Sequence, residues 1–445
     1  MDLVLYISAL TDLSCGDDDE HHQAEEACPI CLDMMEQSTC TATLPCGHRL
    51  CVACLTTLRK RCHRACPLCR APLPPPAKEL FEKASRLYFP LKARIGSWDN
   101  LSLEDQIVMD EVLKLWKLSA QQGLAAAQCN MGFAIRKGRG ATKNFSAAVG
   151  WYRKAAQSNN ANAECNLGLA YYLGRGAPQN HAIAAAWYRK SADQGYATAQ
   201  FNLGLMYAQG SGLPKSDDDA VRWYRMAAYQ GHADAQVNLG NAHYSGIGVE
   251  RSATLAARWY HKAAAQGHAD AQCNLGLLNE RGEGSQQRSL LGKALAWYHK
   301  AARQGHRDAA FNLGTMHERG GDGVEKSDLL AVRFFRQAAD KGCPRAQHNL
   351  GVMCFEGRAP AESYEDDFAG RQRAAVEWYL LASAQGHVDS QFNLALMLEE
   401  CGDRGGADAL RDLARALLLY EEAARLGDAQ AAHEAGRLRG ELSAP

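Results

Sequence analysis

With 49 basic and 50 acidic side chains among 445 residues, the chain has a formal charge of −1, which predicts no general attraction to nucleic acid or to anionic membranes. No stretch approaches the roughly 18 apolar residues of a membrane span, and the N-terminal apolar stretch lacks the basic flank of a signal peptide. We therefore expect a cytoplasmic or nuclear protein with reduced thiols and more than one domain.

The N-terminal part of the chain divides into two predicted segments. Residues 1–24 contain the acidic run GDDDE and are expected to be flexible. Residues 25–73 are rich in cysteine: ten of the sixteen cysteines lie between Cys15 and Cys69, and the other six are scattered singly through sequence of helical character. This distribution argues against a secreted disulfide scaffold.

Eight candidate metal ligands in residues 25–73 fall into four pairs, three of them Cys-x2-Cys and one Cys-x-His. Thiolates and imidazoles at these spacings are typical of tetrahedral zinc sites, and eight ligands suffice for two structural zinc ions. The segment has few apolar residues, so zinc binding, worth about 10–16 kcal/mol in small structural sites, would supply its folding free energy. The ligands are Cys28, Cys31, Cys46, His48, Cys51, Cys54, Cys66 and Cys69.

Seven cysteines with the histidine in fourth place resemble the RING finger family, whereas a PHD finger has its histidine fifth. The resemblance implies a two-zinc cross-brace, in which the first and third pairs bind one zinc ion and the second and fourth pairs bind the other. Cys40 and Cys62 fall outside the pattern and are expected to be reduced surface thiols, although Cys62-His63 is an alternative source of a ligand near Cys66.

RING fingers commonly recruit a ubiquitin-conjugating enzyme that is loaded with ubiquitin, and they have no catalytic residue of their own. The family's docking surface maps onto Ile30, Leu58 and Pro67, and Arg70 matches the linchpin position, where a guanidinium bridges ubiquitin and the conjugating enzyme. Many active members have Trp at the position of Leu58, so docking is expected to be weaker here. The alternative roles are packing on the zinc scaffold for Leu58 and an idle surface charge for Arg70.

A linker is predicted at residues 74–102, with the domain boundary near residues 71–76. Its three consecutive prolines favour a stiff polyproline spacer. An amphipathic helix is predicted from Lys78 to Tyr88, with Pro90 ending it.

Three phased markers predict helix-pair repeats over residues 103–440. Asn-Leu-Gly or a close variant begins eight times, at intervals of 36 to 44 residues, and an aromatic pair and a Gln-Gly or Lys-Gly pair follow the same rhythm. In the copy at residues 232–267, Asp234 is the predicted N-cap of the first helix, and Gly246 and Gly248 form the turn that follows it. The Asn-Leu-Gly copies begin at Asn130, Asn166, Asn202, Asn238, Asn274, Asn312, Asn349 and Asn393.

These markers resemble the Sel-1-like repeats, which are relatives of the tetratricopeptide repeat. The resemblance implies an all-α fold, a right-handed α-solenoid of about eight full repeats with capping helices. Residues 103–123 are predicted to be a lone second helix at the front and residues 428–440 a lone first helix at the back. The seventh repeat is enlarged by eight residues, and such enlargements often lie at a binding face.

The two resemblances together predict a RING-type ubiquitin ligase whose repeats bind the protein substrate or an adaptor. The alternative is a non-catalytic scaffold in which zinc only stabilises the chain. A nucleic-acid-binding zinc protein is disfavoured, because no basic stripe accompanies the cysteines.

Overall fold

The computed structural model describes residues 41–43, 49–51, 54–55, 57–58, 65–66, 68–70, 73, 75–96, 98, 101–283, 290–321, 323–360, 368–403 and 409–442. The chain divides into two compact units, Met1–Gln230 and Gly231–Pro445. No helix within the described residues is both long and apolar enough to cross a membrane.

The first unit contains one small sheet and eight helices among its described residues. In chain order these elements are β1 (Thr41–Thr43), β2 (Arg49–Cys51), α1 (Ala77–Arg94), α2 (Leu103–Gln121), α3 (Ala125–Lys137), α4 (Phe145–Gln157), α5 (Ala161–Leu173), α6 (His181–Asp193), α7 (Ala197–Gln209) and α8 (Asp217–Tyr229).

The regular elements among the described residues of the second unit are helices, apart from one isolated β-bridge between Gly321 and Val324. The helices are α9 (Ala233–Ser245), α10 (Ala253–Ala265), α11 (Ala269–Arg281), α12 (Leu291–Arg303), α13 (Arg307–Arg319), α14 (Asp328–Ala339), α15 (Pro344–Phe355), α16 (Phe368–Ser383), α17 (Val388–Asp403), α18 (Ala409–Arg425) and α19 (Ala429–Leu442).

The helices form the predicted α-solenoid of helix pairs, and we number the repeats one to eight from the pair α3–α4 to the pair α17–α18. The first helix of a pair ends where a glycine takes the left-handed backbone conformation, as Gly246 does with φ 73°. The back of the solenoid is a lone first helix, α19, as predicted. The enlarged segment of repeat seven includes residues 361–367, which lie outside the described residues.

A glycine facing an aromatic ring explains the Asn-Leu-Gly marker. Tyr224 of the second helix packs over Gly204 of the first helix in the same repeat, and a Cβ at Gly204 would lie 2.7 Å from the ring. Such a contact is shorter than van der Waals packing allows, so close approach of the two helices requires glycine here. The same pairing recurs at Gly132–Tyr152, Gly168–Tyr188, Gly240–Tyr260, Gly276–Tyr298, Gly314–Phe335 and Gly351–Tyr379.

The tryptophan of the aromatic pair has a different role from the tyrosine, because it joins one repeat to the repeat before it. Trp223 of α8 lies in a cluster with Ala184, Ala185 and Tyr188 of α6. Trp187 packs in the same way on the core of repeat one. The two rings of the pair therefore stabilise two different interfaces.

A buried glutamine joins the repeats through hydrogen bonds. Gln200 at the start of α7 donates to the backbone carbonyl of Ala192 at 3.2 Å, and its side-chain oxygen accepts from Gln230 at 2.7 Å. Gln200 thus adds a side-chain hydrogen bond to a carbonyl at the C-terminal end of α6, which also accepts the N–H of Gly195 at 2.9 Å. Gln272 repeats this arrangement, with Ala264 and Gln304 as its partners.

The predicted N-cap Asp234 is wrong. The backbone of His232 is extended, and its Nδ1 accepts the N–H of Ala235 at 3.3 Å, which makes His232 the cap. Asp234 lies inside the first turn of α9, where its charge is favourable to the helix dipole. His306 caps α13 in the same way, and its other ring nitrogen lies 3.0 Å from Asp270 of the preceding repeat.

The predicted end of the linker helix at Tyr88 is also wrong, because α1 continues through Pro90 to Arg94. Its buried face includes Leu80, Tyr88 and Leu91, so the apolar stripe extends past the proline. Burial of one large apolar side chain is worth about 1.5–3 kcal/mol, which is comparable with the cost of about 3 kcal/mol for an interior proline.

Helix α2 is therefore not a lone front helix, as predicted, but the partner of α1. The Tyr88 ring stacks on Trp98 at 5.9 Å and lies 5.6 Å from the ring of Trp116. The Ser119 hydroxyl donates to the carbonyl of Ala77 at 2.7 Å. These contacts make the predicted linker helix part of the first helix pair of the solenoid.

Candidate metal centre and protein-binding repeats

Strands β1 and β2 form an antiparallel hairpin in the cysteine-rich segment, with Thr41 opposite Cys51 and Thr43 opposite Arg49. In the sequence, the predicted second ligand pair lies between the two strands and outside the described residues, and Cys51 of the third pair ends β2. Residues 54–55 and 57–58 are helical. Among the described residues, Cys51 therefore lies at the end of a strand and Cys54 in helical structure.

The described core of this segment is very small. It consists of the buried Leu50, Leu55 and Cys66, with Leu58 and Leu73 partly buried against them. Each buried apolar side chain contributes about 1.5–3 kcal/mol, whereas ordering the backbone costs about 1–2 kcal/mol for every residue. The apolar contacts among the described residues do not supply enough free energy to order the segment by themselves, so a bound metal fits its energetic need.

The last ligand pair lies in a tight turn. The N–H of Arg70 donates to the carbonyl of Cys66 at 2.8 Å, and Arg70 itself has a left-handed backbone with φ 61°. Cys66 is buried, Cys69 is exposed, and neither forms a disulfide. Two thiols held in one turn are a suitable donor set for zinc.

The other predicted ligands are described less completely. Cys54 is half-buried and is not in a disulfide. Cys51 is described only by its backbone, and Cys28, Cys31, Cys46 and His48 lie outside the described residues, as do Cys40 and Cys62. The two-zinc ligand set therefore stays a prediction.

The predicted docking residues fall into two groups. Ile30 and Pro67 lie outside the described residues, whereas Arg70 is exposed and Leu58 is partly buried against the small core. Leu58 thus packs against this core, and its role in docking stays a prediction. Sequence reasoning missed Leu68, which is 50% exposed inside the last ligand pair. The sequence does contain a signal for the exposure of Leu68, because an apolar residue between two ligands in a tight turn has little room to be buried.

The cysteines of the repeats differ chemically from the ligand cysteines. Burial raises the pKa of the Cys129, Cys165 and Cys273 thiols to about 12, so they are protonated at neutral pH. A protonated, buried thiol is a small apolar core residue rather than a nucleophile or metal ligand.

Eight consecutive segments from residue 125 to residue 428 match the Sel1 repeat family, and their boundaries follow the helix pairs described above. The chain belongs to the Sel1 repeat family. Residues 26–70 match the Ring finger domain, so both resemblances are confirmed.

Two solved structures of Sel1 repeat proteins are similar to this chain. The protective antigen c5321 of uropathogenic Escherichia coli is 33% identical, with a TM-score of 0.60, and the match covers 75% of this chain and 68% of that protein. A Sel1 repeat protein from Oxalobacter formigenes is 29% identical, with a TM-score of 0.50, over 58% of this chain and 96% of that protein.

The curated relatives match only short segments. Human E3 ubiquitin-protein ligase TRIM65 is 47% identical over 47 residues, which are 11% of this chain and 8% of that protein. The probable E3 ubiquitin-protein ligase RZFP34 of Oryza sativa subsp. japonica is 40% identical over 57 residues, which are 13% of this chain and 18% of that protein. The chain thus spans less than a fifth of the length of these curated relatives.

Metal analysis of the purified Sel1 repeat protein is expected to give two zinc ions per chain, because eight ligands form two tetrahedral sites. Cys66→Ser should lower the zinc content, since it removes a thiolate. Cys40→Ser and Cys62→Ser are the matched controls and should leave the content unchanged. One zinc ion or none in the unaltered protein, or a loss of zinc with Cys62→Ser, would contradict the ligand assignment.

Proposed function

We propose that this protein is a RING-type ubiquitin ligase. In this proposal the RING finger recruits a ubiquitin-conjugating enzyme charged with ubiquitin, and the Sel1 repeats bind the protein substrate or an adaptor. The observation that carries the proposal is the Ring finger domain match over residues 26–70, because it includes all eight predicted ligands and Arg70. The names of the curated relatives that align with short segments of the chain also support it.

The residues of the RING finger segment suit the positioning of the conjugating enzyme and ubiquitin rather than covalent catalysis. Bound zinc would supply folding free energy through the cysteine and histidine ligands. Ile30, Leu58 and Pro67 would provide the apolar surface for the conjugating enzyme. The exposed guanidinium of Arg70 would hold ubiquitin against that enzyme, so that the thioester meets the attacking amine in a productive geometry.

The repeats suit the binding of another protein. Their helix pairs present a long surface, and several large apolar side chains on that surface are exposed. Exposed apolar residues on a rigid scaffold are typical of protein-interaction sites when they cluster. We place this activity in the cytoplasm or nucleus, where thiols stay reduced and the ubiquitin system operates.

The direct test is self-modification of the full chain with activating enzyme, a panel of conjugating enzymes, ubiquitin and ATP. We expect ubiquitin to be attached to the chain, and Ile30→Ala should abolish the reaction because the apolar docking contact is lost. The Ile30→Ala protein should keep its zinc, which separates lost docking from unfolding. If no conjugating enzyme is discharged faster with the protein than without it, the protein is a non-catalytic scaffold.

A further inference from the structure

An apolar groove of about 260 Å³ lies in the second unit, between α16 of repeat seven and the two helices of repeat eight. It is lined mainly by leucine side chains, with one arginine and one glutamate at its edge. Its lining includes Leu380 from α16, Leu398 from α17, and Arg415, Leu418, Leu419 and Glu422 from α18.

The groove lies where repeat eight departs from the aromatic pair. Leu419-Tyr420 stands where six of the other seven repeats have Trp-Tyr and repeat six has Phe334-Phe335, so Leu419 takes the place of the aromatic ring that joins a repeat to its predecessor. Trp223 fills the corresponding position in repeat three and is only 8% exposed. Replacing an indole with the smaller leucine leaves an apolar space between the two repeats.

The polar cover of the tryptophan is missing as well. In four repeats, the lysine three residues after the tryptophan lies over the ring, for example Lys262 over Trp259 at 4.1 Å. Repeat eight has Glu422 at that position. Two residues after the first aromatic residue of the pair, repeats one to six have arginine or histidine, but repeat seven has Leu380, which is 44% exposed.

Together, the replacements at Leu380, Leu419 and Glu422 leave the groove open to solvent. Leu418 is 57% exposed at the rim, and Leu398 is partly buried in the wall. Apolar surface that is exposed to water is unfavourable in proportion to its area, so covering this open cluster of leucines is favourable. The size of the space suits the aromatic ring that the other repeats supply themselves.

The charges at the rim indicate the polar chemistry of the occupant. Arg415 is exposed and forms no ion pair or hydrogen bond with any described residue. Glu422 already accepts from Gln391 at 3.4 Å. Arg415 lies four residues before Leu419 on α18, about 6 Å along the helix axis, so an acidic group near the occupant's ring would be within its reach.

We propose that this groove binds a segment of another protein that presents an aromatic side chain, with an aspartate or glutamate within one helical turn of it. The aromatic ring fills the space left by Leu419, and the carboxylate pairs with Arg415. This inference rests on the proposed protein-binding role of the Sel1 repeats and is independent of RING activity.

The experiment is a selection of random peptides displayed on phage against the full-length protein, followed by affinity measurements on the enriched peptides. The expected enriched sequences combine an aromatic residue with a nearby aspartate or glutamate. Leu419→Trp restores the residue of the other repeats and fills the groove, so these peptides should bind this variant at least about tenfold more weakly. The variant is expected to fold, because it copies the packing of the neighbouring repeats.

Two further variants keep the test specific. Leu410→Trp adds the same indole to α18 at a position that is 76% exposed and outside the groove, so binding should be unchanged. Arg415→Glu should weaken binding of the acidic peptides and favour peptides in which a basic residue replaces the acid. Self-modification by the Leu419→Trp protein should equal that of the unaltered protein, so failure of the groove and failure of the ligase proposal are distinguishable.

Three outcomes would overturn the proposal. The first is equal binding of the enriched peptides by the Leu419→Trp and unaltered proteins. The second is enrichment of peptides that lack the aromatic residue or the acid. The third is a concentration-dependent dimer that Leu419→Trp abolishes, since the occupant would then be a second copy of this chain.

Discussion

Arg70→Ala is expected to slow the discharge of ubiquitin from the conjugating enzyme by more than about tenfold, with zinc content and binding of that enzyme unchanged. Under the proposed function, the guanidinium makes two or three charge-assisted hydrogen bonds, each worth about 1.5–3 kcal/mol. Each 1.4 kcal/mol lost from the stabilisation of the transition state is roughly a factor of ten in rate. Single-turnover discharge of the charged enzyme onto free lysine measures this step directly.

The backbone of Arg70 provides the control for this experiment. Its φ of 61° is a conformation that costs a side-chain-bearing residue about 1–2 kcal/mol and glycine almost nothing. Arg70→Gly therefore preserves the turn that follows Cys66 while removing the guanidinium. If the side chain is responsible, glycine and alanine should be equally slow, and Arg70→Lys should lie between them and the unaltered protein because it keeps the charge without the planar fork. Restoration of the rate by glycine would contradict the role of the guanidinium.

The periodicity of the sequence predicted the repeat architecture because each marker corresponds to a fixed contact. The glycine of Asn-Leu-Gly is required by a ring from the second helix, as at Gly240 and Tyr260. Repeat eight has Ala395 where the glycine is expected, and it still buries Tyr420 completely. Spacing and residue size were therefore enough to identify the helix pairs.

The two wrong helix boundaries have different causes, a tertiary contact at Pro90 and the local backbone at Asp234. Pro90 is a sound local reason to end a helix, but the burial of Leu91 beyond it depends on a partner helix that is distant in sequence. Asp234 is a good N-cap by residue type, yet the glycine at the end of the previous helix sets the chain so that His232 has the extended backbone of the cap.

The groove at repeat eight was visible in the sequence only as an interruption of the aromatic pair. Leu419 alone does not predict a groove, because its consequence depends on Leu380 and Leu398 from two other helices. The Ring finger domain over residues 26–70 was more predictable, since zinc restricts both the type and the spacing of its ligands. Chemistry that depends on close neighbours in sequence is easier to predict than a cavity between repeats.

The tryptophan of the aromatic pair is expected to stabilise the interface between neighbouring repeats. Trp223→Ala is expected to lower the free energy of unfolding of the first unit by about 3–5 kcal/mol, as truncation of a buried aromatic residue in a packed core typically does. Trp223 is 8% exposed and contacts the core of repeat two from repeat three, so its loss also weakens the coupling between neighbouring repeats. Urea denaturation of the full chain, followed by far-ultraviolet circular dichroism, should therefore show an earlier and broader transition.

Met226→Ala is the matched control, because Met226 lies on the same helix and is 40% exposed. Its truncation should change the stability by no more than about 0.5 kcal/mol, as surface substitutions usually do. A broader transition with Trp223→Ala alone would show that the indole links repeats, because weakened coupling lets them unfold separately. Melting of Trp223→Ala that equals that of the unaltered protein would mean that the space beside α6 is filled by other side chains. Replacement of the tryptophan by Leu419 would then not account for a groove that accepts a partner's aromatic ring.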